Sequence, residues 1–250
     1  MLAQQRQALI ESMVKEQGSL RVSDLSEQFN VSQETIRRDI DKLQEENAYI
    51  SKIHGGVSYI SDHVVPSAIR KNLLVEEKSQ LAKKAVSLIK NGDVIFLDCS
   101  TTSLYIAQEI AKTEHQVTII SNSSQLCEYL KGSDIKLVMI GGTYCDDNNA
   151  FTGTLAIQML TNFSAHKCFI SCPSVSLEKG LYDNSEDEAS IRKLMMDNAQ
   201  QTILVVDYTK FDSFSLMKIS NLDCIDVLLT DKLMSEQEKM FCCNQNIKIM

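Results

Sequence analysis

Between residues 93 and 231 the chain returns six times to a short, nearly continuous apolar run: DVIFLD (93–98), QVTIIS (116–121), KLVMIG (136–141), HKCFISC (166–172), TILVVD (202–207) and IDVLLTD (225–231). Each run has the length of a strand, and stretches of helical pattern lie between most of them. A strand apolar on both faces has to be covered on both, and strands joined by crossover helices lie parallel. The spacing therefore predicts an α/β domain with a mostly parallel sheet, and it says where chemistry can sit, beyond the carboxyl ends of the strands. A helix from about Val75 to Lys90, with Leu81, Ala82, Ala85, Leu88 and Ile89 inward and Asn91-Gly92 closing it, leads into this sheet.

Three of those strand ends carry unusual residues. DCSTTS (98–103) puts a run of hydroxyls between a strand and a helix, where free backbone N–H groups and the helix dipole favour an anion. IGGT (140–143) pairs Gly141 with Gly142, so backbone can approach a ligand closely or turn tightly. VVDYTKF (205–211) sets Lys210 just past a strand, where it can partner a phosphate. Neither a GxGxxG fingerprint nor a Walker lysine motif is present, which argues against dinucleotide binding and nucleotide hydrolysis, and no GxSxG elbow supports a hydrolase.

The first 60 residues have a different grammar. Leu9, Ile10, Met13 and Val14 mark a helix that Gly18 ends, and an extended SLRV follows. Ser23 is placed to cap a brief helix through Phe29, Asn30 makes a turn, and Ser32 caps a helix to about Glu46 with Ile36, Ile40 and Leu43 on one face. YISKI, the turn His54-Gly55-Gly56 and VSYI then read as a hairpin whose glycines suit positive φ. This is the order of a winged helix-turn-helix. Around Ile36, Arg38 falls nearly opposite the buried stripe and Arg37 about 100° away. Ser32, Gln33, Glu34 and Thr35 occupy the end that meets base edges when such a helix enters a major groove. Arg37, Arg38, Lys42, Lys52, His54 and Gly55 complete the expected DNA-facing set.

Charge makes that expectation local. The whole chain carries a formal net charge of −8, and its first 60 residues hold seven Lys/Arg against nine Asp/Glu. That argues against a nonspecific nucleic-acid coat, while a Debye length of about 10 Å still lets a small basic face act alone. The eight cysteines are scattered, with no CxxC pair, and the four histidines show no ligand spacing, so no metal or other cofactor is expected. No run approaches the roughly 18 apolar residues of a membrane span, and no signal peptide is recognisable. A cytoplasmic protein with no membrane partner is the expectation.

VSQETIRRDIDKL followed by KIHGGV resembles the DeoR family of bacterial transcriptional regulators, and the likeness continues through EEKSQLAKKAVSLIKNGDVIFLD, DCSTTS, SNSS, IGGT, Gly153, Gly180, Glu188 and DYTKF. The pattern itself divides the chain into the winged helix-turn-helix over 1–58, a linker over 59–74 containing Pro66 and the α/β domain over 75–250; the resemblance implies that this last domain senses an effector and is similar in fold to ribose-5-phosphate isomerase and CoA transferases. It further implies a phosphorylated sugar or polyol as effector and assigns Asp98, Ser100, Thr101, Thr102, Asn122, Gly141, Gly142 and Lys210 to its site, with Glu188 beside them. Three positions depart from the family pattern. Ser100 stands where glycine is usual in the hydroxyl loop, Asn47 where glycine follows the recognition helix, a turn that asparagine survives because it tolerates αL, and Lys52 where the wing has arginine.

The expected protein is a regulator, a repressor of a carbohydrate-metabolism operon, acting on double-stranded operator DNA as a homo-oligomer (dimer or tetramer). The alternative is a sugar-phosphate isomerase or transferase of the same α/β fold with an accessory N-terminal domain, suggested by the acid–base set Asp98, Glu188 and Lys210. The winged domain favours the regulator, since a metabolic isomerase has no use for it.

Overall fold

The computed structural model describes residues 2–47, 50–53, 55–59, 67–211 and 213–250. The chain divides into two compact units, residues 1–73 and 74–250. In the first, α1 (Ala3–Gln17) buries Ile10 and Val14 and ends at Gly18, whose φ of 77° is open to glycine. After β1 (Ser19–Arg21), α2 (Val22–Phe29) starts two residues earlier than expected. Arg21, not Ser23, holds the N-cap position, because Val22 is drawn into the core, and Ser23 Oγ turns to Asp24 instead. Asn30 takes the left-handed conformation, φ 50°, that closes this helix.

The next helix, α3 (Gln33–Glu46), is capped by Ser32, whose Oγ accepts from the Thr35 amide at 3.1 Å, and it buries Ile36, Ile40 and Leu43 as the pattern requires. Asn47 corrects the expectation of an αL turn. Its backbone is extended (φ −137°), and its Nδ2 donates to Glu11 Oε1 at 2.7 Å, so the side chain ties the helix end to α1. The hairpin of β2 (Ile50–Ile53) and β3 (Gly56–Tyr59) forms, with β1 joining the far side of β3. Only Gly55 uses positive φ (75°). Gly56 is there for space, since a Cβ on it would stand 2.3 Å from Leu20 O. Residues 60–66 of the expected linker, Pro66 among them, lie outside the described residues. A helical turn, α4 (Ser67–Arg70), falls within the remainder.

The second unit opens with α5 (Val75–Val86), shorter than its apolar pattern because its end tightens, with Leu88 N and Ile89 N donating to Ala85 O and Val86 O (both 3.0 Å); Leu88 and Ile89 still turn inward. Then come β4 (Val94–Leu97), α6 (Thr101–Ile110), β5 (Thr118–Ser121), α7 (Leu126–Tyr129), β6 (Lys136–Met139), β7 (Thr143–Cys145), β8 (Ala150–Thr152) and α8 (Thr154–Leu160). They are followed by β9 (Lys167–Ile170), β10 (Ser174–Ser176), β11 (Gly180–Asp183), α9 (Glu186–Asp197), β12 (Thr202–Val206), β13 (Met217–Ser220), β14 (Val227–Thr230), α10 (Glu236–Asn244) and β15 (Lys248–Ile249). Seven strands form one parallel sheet in the order β15-β14-β12-β9-β4-β5-β6. Alternate residues feed two apolar layers: Ile95, Leu97, Ile203 and Val205 on one face, Phe96, Leu204 and Val206 on the other. All six apolar runs are strands of this sheet. Not foreseen were the antiparallel sheet β10-β11-β13 and the β7–β8 hairpin, both too short to announce themselves by periodicity.

Candidate functional site

Strand order locates the crevice. From β4 the chain moves outward through β5 and β6, then returns to place β9 on the other side of β4. The switch therefore falls between β4 and β9, and the segments leaving those strands, Asp98-Cys99-Ser100 and Ser171-Cys172, flank it.

Asp98 is buried there and every lone pair is occupied. Its Oδ1 accepts from Ser100 N (3.1 Å), Ser100 Oγ (2.6 Å) and Ser103 Oγ (2.5 Å), and its Oδ2 from Ser171 N (3.0 Å) and Arg192 Nε (2.8 Å). Arg192 is the hub that sequence reasoning missed. Its Nη1 also donates to Asp183 Oδ2 and to Glu188 Oε2 (3.0 Å), and Nη2 reaches Cys99 Sγ at 3.8 Å. Burial alone would pull the guanidinium pKa down, but the carboxylates of Asp183, Asp98 and Glu188 overrule it and hold the charge firmly. Burial also pushes Asp183 up and the Cys99 thiol well up, so the cysteine is an inert thiol here. The signal for Arg192 was present: it sits at i+3 from Ala189 and i−3 from Met195, a charged residue within the buried stripe of α9.

Asp98 and Glu188 thus meet through Arg192. Ser100 is the N-cap of α6, its Oγ accepting from Ser103 N at 3.1 Å with φ −68°, a backbone any residue adopts, so replacement of the usual glycine costs the loop nothing. Thr101 and Thr102 lie buried in the first turn of that helix.

Along the edge, Asn122 and Ser123 leave β5. Asn122 Nδ2 donates to Phe151 O (3.0 Å), while Asn122 Oδ1 and Ser123 Oγ are buried without a hydrogen-bond partner. Gly142 sits at φ 149°, and a Cβ there would meet Thr152 O at 2.6 Å; the IGGT glycine serves the root of the β7–β8 hairpin, while Gly141 faces open space. Past β12, Asp207 caps a short 3-10 turn (Tyr208–Lys210) by accepting from Thr209 N at 2.9 Å. Lys210 Nζ lies 3.8 Å from Asp207 Oδ2, and burial brings the lysine down to about 7 and pushes Asp207 up. Lys78 of α5 adds a further cation acting on Asp207. β12 neighbours β9, so the Lys210 turn leaves the sheet one strand, about 5 Å, beyond the β9 side of the switch point.

In the N-terminal unit the expected DNA-facing residues gather on the exposed side of α3 and on the hairpin beside it. Arg38 has 80 % and Arg37 48 % of its side chain exposed, and both pair with Glu34, at 3.7 and 3.5 Å. Such pairs contribute about 0–1 kcal/mol and are readily exchanged for phosphate. Gln33 Oε1 accepts from Arg37 Nη2 at 3.4 Å, and Ser32 and Thr35 are engaged in the cap. Lys52 reaches back to Asp41 of α3 at 2.6 Å and so fixes the wing to the helix. Lys42 and Gly55 are exposed, and His54 lies outside the described residues. The residue after the arginine pair does something else: Asp39 is buried, accepting from Arg6 Nε (2.6 Å) and Gln7 Nε2 (2.9 Å), which clamps α1 onto α3.

A helix-turn-helix joined to an α/β unit with a buried polar cluster at its switch point is the make-up of a DNA-binding regulator with a sensor domain. The model of the DeoR-like helix-turn-helix domain matches residues 6–63, and that of the DeoR C terminal sensor domain matches 74–232. The chain belongs to the DeoR family of transcriptional regulators. The HTH-type transcriptional regulator YulB of Bacillus subtilis is 34 % identical over 92 % of this chain and 90 % of its own. The lactose phosphotransferase system repressor of Lactococcus lactis is 32 % identical over 90 % and 89 %. Among solved structures, ribose 5-phosphate isomerase A of Methanocaldococcus jannaschii shares 21 % identity over 54 % of this chain and 53 % of its own, with a TM-score of 0.39. The family makes the protein a regulator and not an enzyme, which removes the isomerase or transferase alternative. Among the described residues, no helix is long and apolar enough to cross a membrane.

Proposed function

We propose that the protein represses a carbohydrate-metabolism operon as a homo-oligomer, through α3 and the β2–β3 wing, and that a phosphorylated sugar or polyol changes its operator affinity. The observation that carries the effector reading is the pairing, along one sheet edge, of an anion-favouring end with a hydroxyl-reading end. The first turn of α6, with Thr101 and Thr102, and the buried Lys210 suit a phosphate. Asn122 Oδ1 and Ser123 Oγ, buried without partners, suit the hydroxyls of the carbon chain. Asp98 and Glu188 act at one remove, by holding the loop and α9 through Arg192. The relative in Lactococcus lactis is named for repression of a phosphotransferase system, which accords with a phosphorylated effector.

The effector has to bind one conformation better than the other, and a coupling of about 1–3 kcal/mol is the ordinary scale. The test is a titration of sugar phosphates against protein bound to the promoter it protects. Wild type is expected to respond, Lys210→Met to bind the promoter and lose the response, and Thr101→Val to respond more weakly. A phosphorylated effector to which Lys210→Met responds normally refutes the placement, and silence of the wild type across sugar phosphates refutes the effector class.

A further inference from the structure

The β7–β8 hairpin has a position that the functions above do not use. Along β8, Phe151 N donates to Asn122 O (2.8 Å) and Asn122 Nδ2 donates back to Phe151 O (3.0 Å), and in the turn just before β8 Asn149 O accepts from Ser124 N (2.9 Å). At its tip, Asn148 Nδ2 donates to Glu188 Oε1, the oxygen of Glu188 that Arg192 leaves to others. Both roots are glycines in conformations that L side chains rarely adopt, Gly142 at φ 149° and Gly153 at φ 84°. The hairpin thus begins and ends at glycines, is hydrogen-bonded along β8 to the end of β5 and is tied at its tip to α9.

The partnerless Asn122 Oδ1 and Ser123 Oγ belong to the segment alongside β8, and both residues are 1 % exposed. A buried polar atom without a partner is uncommon, and two adjacent ones at a sheet's carboxyl edge point to a ligand. No hydroxyl can reach them while the hairpin stays down.

We propose that Asn148 is a positioning residue for the effector: the hairpin swings on Gly142 and Gly153 to admit the ligand, then closes over it with the Asn148–Glu188 hydrogen bond as its latch, the ligand's hydroxyls meeting Asn122 Oδ1 and Ser123 Oγ. This rests on the reading of the effector as a phosphorylated sugar or polyol. Because Glu188 and Asp98 share Arg192, the latch joins the hairpin tip to the loop that starts α6. A ligand at the phosphate end therefore bears on a structure that also holds the strap.

The experiment uses the full chain and has a ligand-free arm. The Phe151 amide, bonded from β8 to Asn122 O at the end of β5, reports opening by hydrogen exchange. Asn148→Asp sets a carboxylate against Glu188, and exchange at Phe151 is expected to quicken about tenfold, the factor carried by a hydrogen bond to a charged group. Amides of β4 and β9 should keep their wild-type rates. The double variant Asn148→Asp/Glu188→Gln restores an amide–carboxylate pair with its polarity reversed, and it should return the Phe151 rate toward wild type, which a general loosening of the fold would not do. In the second arm, fructose 1-phosphate, fructose 6-phosphate, tagatose 6-phosphate and glucosamine 6-phosphate are titrated against promoter-bound protein. For any that acts, its midpoint should rise about tenfold in Asn148→Asp and its release should quicken. Unchanged Phe151 exchange in Asn148→Asp overturns the latch whatever the ligands do. Quickened exchange with an unshifted midpoint also overturns it, while the effector reading stands. If none of the four compounds acts but Phe151 behaves as expected, the latch is upheld as a property of the fold and the sugar-phosphate reading fails.

Discussion

Arg37, Arg38 and Asp39 are consecutive, yet the structure divides their work, and Asp39 makes the division measurable. Its carboxylate is 3 % exposed and holds Arg6, 7 % exposed, at 2.6 Å, with Gln7 on the other oxygen at 2.9 Å. Asp39→Ala leaves the Arg6 guanidinium buried without its counter-charge, a loss of about 3–5 kcal/mol. At roughly 0.05–0.15 kcal/mol per residue, a unit of 73 residues has about 4–11 kcal/mol in total, so the substitution removes a large part of it. Asp39→Asn keeps an acceptor for Gln7 and should cost less, about 1–3 kcal/mol. The double change Arg6→Met/Asp39→Leu, which removes both charges, should recover much of the loss. Amide exchange at Ile36 and Ile40 in the full chain follows this unit apart from the sheet, and operator binding of Asp39→Ala should return on moderate cooling as the unit refolds. An Asp39→Ala protein with wild-type exchange at those amides but weakened operator binding would mean that Asp39 faces DNA, and the clamp would be wrong.

Arg38→Ala should behave oppositely, folding normally and losing about 1–3 kcal/mol of operator affinity, with a shallower dependence on salt if its contact is to phosphate; a wild-type footprint at several salt concentrations would make it a solvated residue. Operators should carry repeated half-sites spaced near a helical turn or its multiples, because one small winged unit offers few phosphate contacts; a monomer bound at full affinity to one isolated half-site, seen by sedimentation, would defeat this. Lys210, held at about 7 by burial, is largely neutral at pH 8, and a phosphate dianion beside it would restore the charge, so effector binding should take up a proton and weaken as pH rises from 7 to 9. The same depression has a stability signature: between about pH 7 and the unfolded value near 10.4, the unfolded chain holds the extra proton, so stability rises with pH across that window, and Lys210→Met should flatten the rise. Calorimetry in buffers of different ionisation enthalpy and melts over pH 7–10 check the two halves. Gly56→Ala should disorder the wing, since its Cβ would stand 2.3 Å from Leu20 O; an unchanged hairpin by amide exchange would show that β1 can yield.

What the sequence made legible, and what it hid, divides along the range of the interactions. The six apolar runs and the Ile36, Ile40, Leu43 stripe are periodic over a strand or a helix, so burial, which acts on every residue of the element, writes them into composition. Ser23 failed as a cap because capping is a contest of single residues, and a buried Val22 outweighed it. The site was legible as a set of strand ends but not as a mechanism. DCSTTS looked like a row of ligand hydroxyls, whereas Ser100 and Ser103 spend theirs on Asp98, and what makes Asp98 so demanding is Arg192, 94 positions away. A buried arginine among three acids can be suspected from its place in an apolar stripe, but its partners come from β4, β11 and α9, and only the crossover topology brings these together. The same holds for Asp39. The motif made it a neighbour of two arginines expected to face DNA, and helical geometry could have set it apart, since position 39 follows Ile36 by three and lies on the buried face. A charge on the wrong face of an amphipathic helix is therefore the one sequence signal that finds both Asp39 and Arg192. In each case it marks a residue whose partner lies on another element: α1 for Asp39, and the β4 and β11 strand ends for Arg192.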